Sequence, residues 1–273
     1  MVTAVSLPEM VRSAQRGETR AFMESFFFVR TKESDLAPFR LTPLQDAIDR
    51  NKTNYDILLK PRQSGGSTYH VFDALARCLC TPNYQAAIVA HEKDATERLF
   101  RMVARALESM EPSVKPAIGH DRTDYVDFPG LHSAIYIGTA GSRRFGRSET
   151  INFLHLSEVP QWEPDDRAQL LTAALEAVPK GGRIVWESTP HGIGDEFHQL
   201  YLDAVAGATA YRAHFFPWFS NPEFALSGSD PEVRISDRGE LEYTDEEAAL
   251  ASRHGLVQDQ IRWRRWKIGN QRR

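Results

Sequence analysis

Ile57-Leu-Leu-Lys-Pro-Arg-Gln-Ser-Gly-Gly-Ser-Thr68 decides how this chain folds: three apolar residues, then a polar, glycine-bearing loop that ends in two hydroxyls. A strand breaking into such a loop and continuing as a helix is the layout of a phosphate-binding loop, where successive backbone N–H groups and the positive helix end face an anion. Gly65 and Gly66 admit a close backbone approach, and the pattern predicts a helix from about Ser67. The usual spacing, G-x-x-x-x-G-K-[ST], sets a lysine directly before the hydroxyl that reaches Mg²⁺. Here Gly66 holds that place, and Lys60 stands at the front edge of the loop. Its stem is long enough to fold back toward β- and γ-phosphates, and Arg62 supplies charge from a second side. Ser67 is the expected Mg²⁺ ligand, with Thr68 the alternative. Taken alone, Ser64-Gly-Gly-Ser67 also reads as a tight strand-to-helix turn.

The rest of the chain gives this loop a setting. Ile57–Leu59, Ala86–Ala90, Ala134–Ile137, Ile151–Leu156, Arg183–Glu187 and Tyr211–Phe216 are β-rich runs bounded by turn residues, with helical patterns in several of the gaps. That alternation predicts a mostly parallel α/β sheet in three layers, which holds ligands at the carboxyl ends of its strands. With 273 residues, 41% hydrophobic and 26% charged, the chain supports one large domain and a small appendage. A stretch rich in Ser, Pro, Gly and Asp from Pro217 to Asp237 marks the boundary, giving 1–216 as core and 217–273 as a small lid or linker. Thr244-Asp-Glu-Glu opens a capped helix there.

No apolar run approaches the roughly 20 residues of a membrane span, and the N-terminus has no basic, apolar and small-residue leader pattern. Neither secretion nor membrane insertion is expected. Cys78 and Cys80, two apart on a predicted helix, point to different faces, so they read as small buried residues rather than a disulfide or zinc pair. The net charge of −4 is uneven: residues 262–273 carry six positive charges and no acid, leaving −10 on the remainder. That basic end is either a solvated, frayed terminus with Trp263 and Trp266 packed at i, i+3, or a nucleic-acid contact. Arg98, Arg101 and Arg105 share one helical face and leave the same choice open.

Two more strand ends carry chemistry. Ile151-Asn-Phe-Leu-His-Leu-Ser-Glu158 is an apolar strand ending in Ser-Glu, where a nucleoside triphosphatase needs a carboxylate to position or deprotonate the attacking water. Glu158 fits that role, and Ser157 stands where an aspartate usually holds the metal through its water shell. His155 lacks the spacing of a zinc protease and reads as a packing residue. Glu187-Ser-Thr-Pro-His-Gly192 closes another strand as a polar segment able to sense a γ-phosphate. Gly192-Ile-Gly194 has Phe197 where a dinucleotide turn has its third glycine, so a Rossmann site is not expected.

In this order and spacing the residues resemble one family, the ATPase domain of large terminase subunits, which package DNA into viral procapsids. Phe39-Arg-Leu-Thr-Pro-Leu-Gln45 resembles its adenine-recognition segment, with Phe39, Arg40 and Gln45 as the implied contacts. Lys60 to Ser67, including Arg62, Gln63, Ser64, Gly65 and Gly66, is similar to its deviant Walker A loop with the lysine at the front. Gly146-Arg147 followed by Leu154-His-Leu-Ser-Glu-Val-Pro-Gln-Trp162 resembles the Walker B region of one branch, which itself carries Ser-Glu. Ser188-Thr189-Pro190 resembles the coupling motif, and Phe216-Pro-Trp-Phe219 with Gln260-Ile-Arg-Trp-Arg-Arg265 resembles the connection to the second domain.

The resemblance implies a P-loop ATPase of the RecA/ASCE type that hydrolyses ATP with Mg²⁺ and drives double-stranded DNA into a procapsid. It implies a homo-oligomeric ring, monomeric when isolated, working with the portal protein and the small terminase subunit in the host cell cytoplasm. Ser67, Ser157 and Glu158 are then the metal ligands, with Glu158, Lys60 and Arg147 catalytic. Arg147, with Arg144 and Arg143 behind it, is the implied arginine donated across the ring, although three arginines in a Gly/Ser-rich stretch also suit a nucleotide sensor or a DNA-facing loop. The chain stops after Trp-Arg-Arg, so the family's nuclease domain is expected to be absent, and adjacent Asp165 and Asp166 do not replace it. A helicase-like or repair ATPase, and a non-catalytic nucleotide- or DNA-binding viral protein, are the alternatives.

Overall fold

Alternating apolar residues in the β-runs bury both faces of a sheet, so helices must cover both. The computed structural model describes residues 5–31, 35–122, 124–140 and 150–271. The chain runs α1 (Leu7–Gln15), α2 (Arg20–Phe26), an antiparallel pair β1 (Phe28–Arg30) and β2 (Leu36–Pro38), α3 (Pro43–Asn51), β3 (Tyr55–Leu59), α4 (Gly66–Cys80), β4 (Gln85–Ala90) and α5 (Lys93–Ser109). It continues through β5 (Asp121–Arg122), β6 (Tyr125–Phe128), β7 (Ser133–Thr139), β8 (Phe153–Ser157), α6 (Pro164–Glu176), β9 (Arg183–Ser188), α7 (Glu196–Val205), β10 (Arg212–Phe215), α8 (Asp245–His254) and α9 (Gln258–Gln271). Two compact units meet in sequence between Phe216 and Pro217. No helix among the described residues is long and apolar enough to cross a membrane.

The first unit is a three-layer α/β fold. Among the described residues its sheet has eight strands in the order β10-β3-β9-β8-β4-β7-β6-β5, parallel from β10 to β7 and antiparallel beyond. All six β-runs expected from the sequence are strands. On one face Leu58, Ile88, Ile137, Phe153 and Val185 pack with Phe72 and Leu75 of α4 and Val103 of α5. On the other, Ile57, Val89, Leu154, Leu156 and Trp186 pack with Leu171 and Ala174 of α6 and Phe197 of α7. Neighbouring strand residues thus serve opposite layers, as the two-residue period requires. Cys78 and Cys80 are buried free thiols, and burial pushes Cys80 up to about 12.

Near the amino ends of the strands lies a buried ionic network. Arg183 Nη1 is 2.8 Å from Asp56 and its Nε 3.6 Å from Asp73. Asp73 also accepts from Thr19 Oγ1 at 2.6 Å and from Arg77 Nε at 3.1 Å, and His214 Nε2 lies 3.0 Å from Asp56. Burial disfavours both carboxylates' charge. It is outweighed by His214 and Arg183 at Asp56, and by Arg77, Lys52 and Arg183 at Asp73, so both stay below the usual aspartate range.

The second unit has its own logic. Thr244 caps α8, accepting from Glu247 N at 3.3 Å while Glu247 accepts from Thr244 N at 3.0 Å. The basic end expected to be frayed or exposed is helix α9 over its described part, and its charges are largely spent internally. Arg265 pairs with Glu247 at 2.7 Å and Asp237 at 2.8 Å, Arg264 with Glu246 at 2.5 Å, and Arg262 with Asp259 at 2.6 Å. Arg265's hydrogen bond holds Glu247 down to about 2. Trp263 does not pair with Trp266: it stacks on Phe224 at 4.4 Å and Trp218 at 5.1 Å, while Trp266 Nε1 donates to Glu232. Arg272 and Arg273 lie outside the described residues.

Removing Arg183 takes from two buried carboxylates the cation they share, leaving Asp73 with Arg77 and Asp56 with His214, so Arg183→Ala should lower the unfolding free energy in urea at pH 7 by about 3 kcal/mol. A loss under about 1 kcal/mol would show that the network does not stabilise the fold. Because both aspartates titrate lower in the folded state, their contribution is full above the unfolded value of roughly 3.9 and fades as pH falls toward the folded value. Melting temperature should therefore decline in acid, and less steeply in Arg183→Ala.

Candidate functional site

Parallel register brings three carboxyl strand ends side by side. β9 lies between β3 and β8, with Ser188 opposite Leu59 and Glu187 opposite Ser157. Backbone bonds extend both pairings past the strand ends, Lys60 N to Ser188 O at 3.1 Å and Glu158 N to Glu187 O at 2.7 Å. The Lys60–Thr68 loop, the Ser-Glu segment and the Ser-Thr-Pro segment therefore form one contiguous edge.

The loop turns through left-handed backbone at Gln63 (φ 56°) and Gly65 (φ 81°), and Glu158 also has positive φ, 56°. Gln63 and Glu158 carry side chains in a region that disfavours them, a strain that sites tolerate when surrounding bonds fix it. Helix α4 starts at Gly66, one residue before its expected start. Gln45 braces the loop: its Nε2 donates to Gly65 O at 2.8 Å, while its Oε1 accepts from Thr42 N at 2.9 Å. Ser64 Oγ is buried without a hydrogen-bond partner.

Lys60 is buried, its side chain 6% exposed. Its ammonium lies 2.9 Å from Glu187 Oε1 and 3.4 Å from Glu158 Oε1. Burial opposes that charge, but the Glu187 and Glu158 carboxylates prevail and raise its pKa. A Cβ added to Gly66 would stand 3.0 Å from Lys60 Cδ and 3.5 Å from Glu187 Oε1. The glycine where the usual loop has lysine is thus the space through which the front lysine's stem passes.

Glu158 anchors the second segment. Its Oε2 accepts from Ser188 Oγ at 3.0 Å, Thr189 N at 3.1 Å, Thr189 Oγ1 at 3.2 Å and Gln161 Nε2 at 3.0 Å. Ser157 is buried, and its carbonyl accepts from Trp162 Nε1 at 3.0 Å. Pro190 is exposed at the far end.

Glu187, which the sequence placed in the third cluster without a role, is the hub. Fully buried, it also accepts from Ser67 Oγ at 2.5 Å, and His155 Nε2 lies 3.0 Å from its other oxygen. Against the cost of burial, Lys60 and then His155 hold its carboxyl well below the usual range. His70 Nε2 follows at 3.9 Å, and burial with the neighbouring His155 takes its pKa down to about 3, leaving a neutral ring. The signal for Glu187 was its place before Ser188 at the end of an otherwise apolar strand, where a carboxylate must find a buried partner.

Other expected residues fall differently. Phe39 is a core residue, packed edge-on against Phe72 at 4.9 Å. Arg40 donates to the carbonyls of Glu24 and Phe39, so Gln45 is the residue of that segment that reaches the loop. Arg62 is exposed and makes no ion pair among the described residues. Thr68 Oγ1 faces Met102 Sδ at 3.8 Å. Arg98 and Arg101 pair with Glu92 and Glu97 at 3.2 and 3.8 Å on a solvated face. Arg143, Arg144, Gly146 and Arg147 lie outside the described residues.

No protein-family model and no curated protein matches this sequence. Solved structures do. The large terminase ATPase domain of Thermus phage P74-26 is 20% identical, with 68% of this chain covering 84% of that one at a TM-score of 0.53. The HK97 bacteriophage large terminase is 16% identical with a TM-score of 0.59, and 89% of this chain spans only about half (52%) of its length. At such identities the likeness is one of fold: this chain has the P-loop fold of large terminase ATPase domains.

Proposed function

We propose that this chain is the ATP-hydrolysing motor domain of a viral large terminase, translocating double-stranded DNA into a procapsid. One observation carries the reading: Glu158 shares a single hydrogen-bond set with Lys60 of the loop and with Ser188 and Thr189 of the adjoining strand end. A carboxylate so placed can orient and deprotonate a water attacking the γ-phosphate, while the loop's N–H groups, Lys60 and exposed Arg62 hold the triphosphate. Loss of that phosphate changes what faces Glu158, and its bonds to Ser188 and Thr189 carry the change into the strand end.

Magnesium suits this site. Among the described residues no three His, Cys, Asp and Glu side chains are grouped to cage a metal, and Mg²⁺ held by phosphate oxygens and water needs no cage. Ser67 would hold the ion, with Ser157 and Glu158 reaching its water shell, and the ion would neutralise charge on the β- and γ-oxygens. Ser67 gives its hydroxyl to Glu187 and would turn from it to reach the ion.

In this reading Arg147, or Arg144 or Arg143 beside it, acts across a homo-oligomeric ring, and 217–273 is a lid or linker. The portal protein and the small terminase subunit are the partners, and the work takes place in the host cytoplasm.

Glu158→Gln should lower kcat by about 10²–10⁴-fold while nucleotide affinity is kept, whereas Lys60→Ala weakens affinity as well. Steady-state hydrolysis unchanged in Glu158→Gln would sink the assignment, and strand separation on a forked duplex would favour a helicase-like role instead. Mixing Arg147→Ala with Glu158→Gln subunits should restore part of the activity; no rescue in rings shown to be mixed counts against a trans-acting Arg147.

A further inference from the structure

We infer that Glu187 is the positioning residue of this site: a fixed buried anion that takes the closer share of the Lys60 ammonium, which also reaches Glu158, and sets it, with Ser67, at the mouth of the loop. The inference rests on the ATPase reading above and adds a residue to it.

Three observations converge. Lys60 stands between two carboxylates and lies closer to Glu187, 2.9 Å, than to Glu158, 3.4 Å. Glu187 is held from behind by His155 at 3.0 Å and is completely buried, so its charge has no route to water, whereas Glu158 is only partly buried. Gly66 leaves the gap through which the Lys60 stem reaches this anion, and any side chain there would meet that stem. The front lysine and the missing side chain at position 66 both depend on the carboxylate at 187. A lysine entering from the front of a loop needs an anchor that one on the following helix does not. Without Glu187 the ammonium has Glu158 alone, and a salt bridge there would tie up the carboxylate that must face water. Glu187 is completely buried and contacts Lys60 and Ser67. It acts through Lys60 and Ser67.

The test separates charge from shape. Glu187→Gln keeps the shape and removes the charge; Glu187→Asp keeps the charge one methylene short. A merely structural Glu187 is better served by Gln, a positioning anion by Asp. The expected order of kcat is wild type, then Asp, then Gln, with Gln down by about 10²-fold and ADP affinity changed far less. Competitive acetylation read by mass spectrometry gives a second measure that needs no hydrolysis. Glu187 is the nearer of the two carboxylates that raise the lysine pKa, so its loss increases the neutral-amine fraction, and Lys60 labelling relative to exposed Lys93 should rise in Glu187→Gln. Circular dichroism must show both variants folded; if Glu187→Gln is not, the double variant Lys60→Met/Glu187→Met, which removes the buried pair together, provides the folded reference, and Glu187→Asp then decides by its labelling. Gln matching or exceeding Asp in kcat, or Lys60 labelling unchanged from wild type, overturns the inference. If wild type itself hydrolyses no ATP, the motor reading fails separately and the labelling alone decides the role of Glu187.

Discussion

A carboxylate buried at the middle of three strand ends must be paired, and the architecture of this site follows from how Glu187 is paired. A lone buried carboxylate is strongly disfavoured, and removing one member of a buried pair leaves the other charge without compensation. Lys60, Ser67 and His155 satisfy Glu187 from three elements, β3, α4 and β8. Those contacts hold the loop against the strand that ends in Ser-Glu and leave Glu158 to bind Ser188 and Thr189.

The opposite edge of the sheet solves the same problem for a different purpose. Asp56, Asp73, Arg77, Arg183 and His214 join β3, β9, β10 and α4 below the core. There the charges are closed upon one another. At the carboxyl edge one cation is shared between two acids, and Arg62 is exposed and makes no ion pair among the described residues.

Much of this was legible in the sequence, for physical reasons. The six apolar runs could only be buried strands, and a parallel sheet forces their polar ends onto one edge. Glu158 and the Ser188-Thr189 segment stood out because polar residues ending apolar strands need partners. Glu187 was obscured because its partners are distant in sequence: Ser67 is 120 residues away and His155 is 32. Phe39 was misjudged in the opposite sense, since an aromatic beside a binding segment and one filling a core look alike until Phe72 is seen against it. The basic C-terminal segment misled because charge summed along the chain ignores the acidic first turn of α8 and Asp237, which neutralise it.

Gly66 constrains how this loop can change over generations. A side chain placed at position 66 would press on the stem of Lys60, and losing Lys60 first would leave Glu187 without its cation. Positions 60, 66 and 187 are therefore coupled in space, and a change at one alters what the other two can hold.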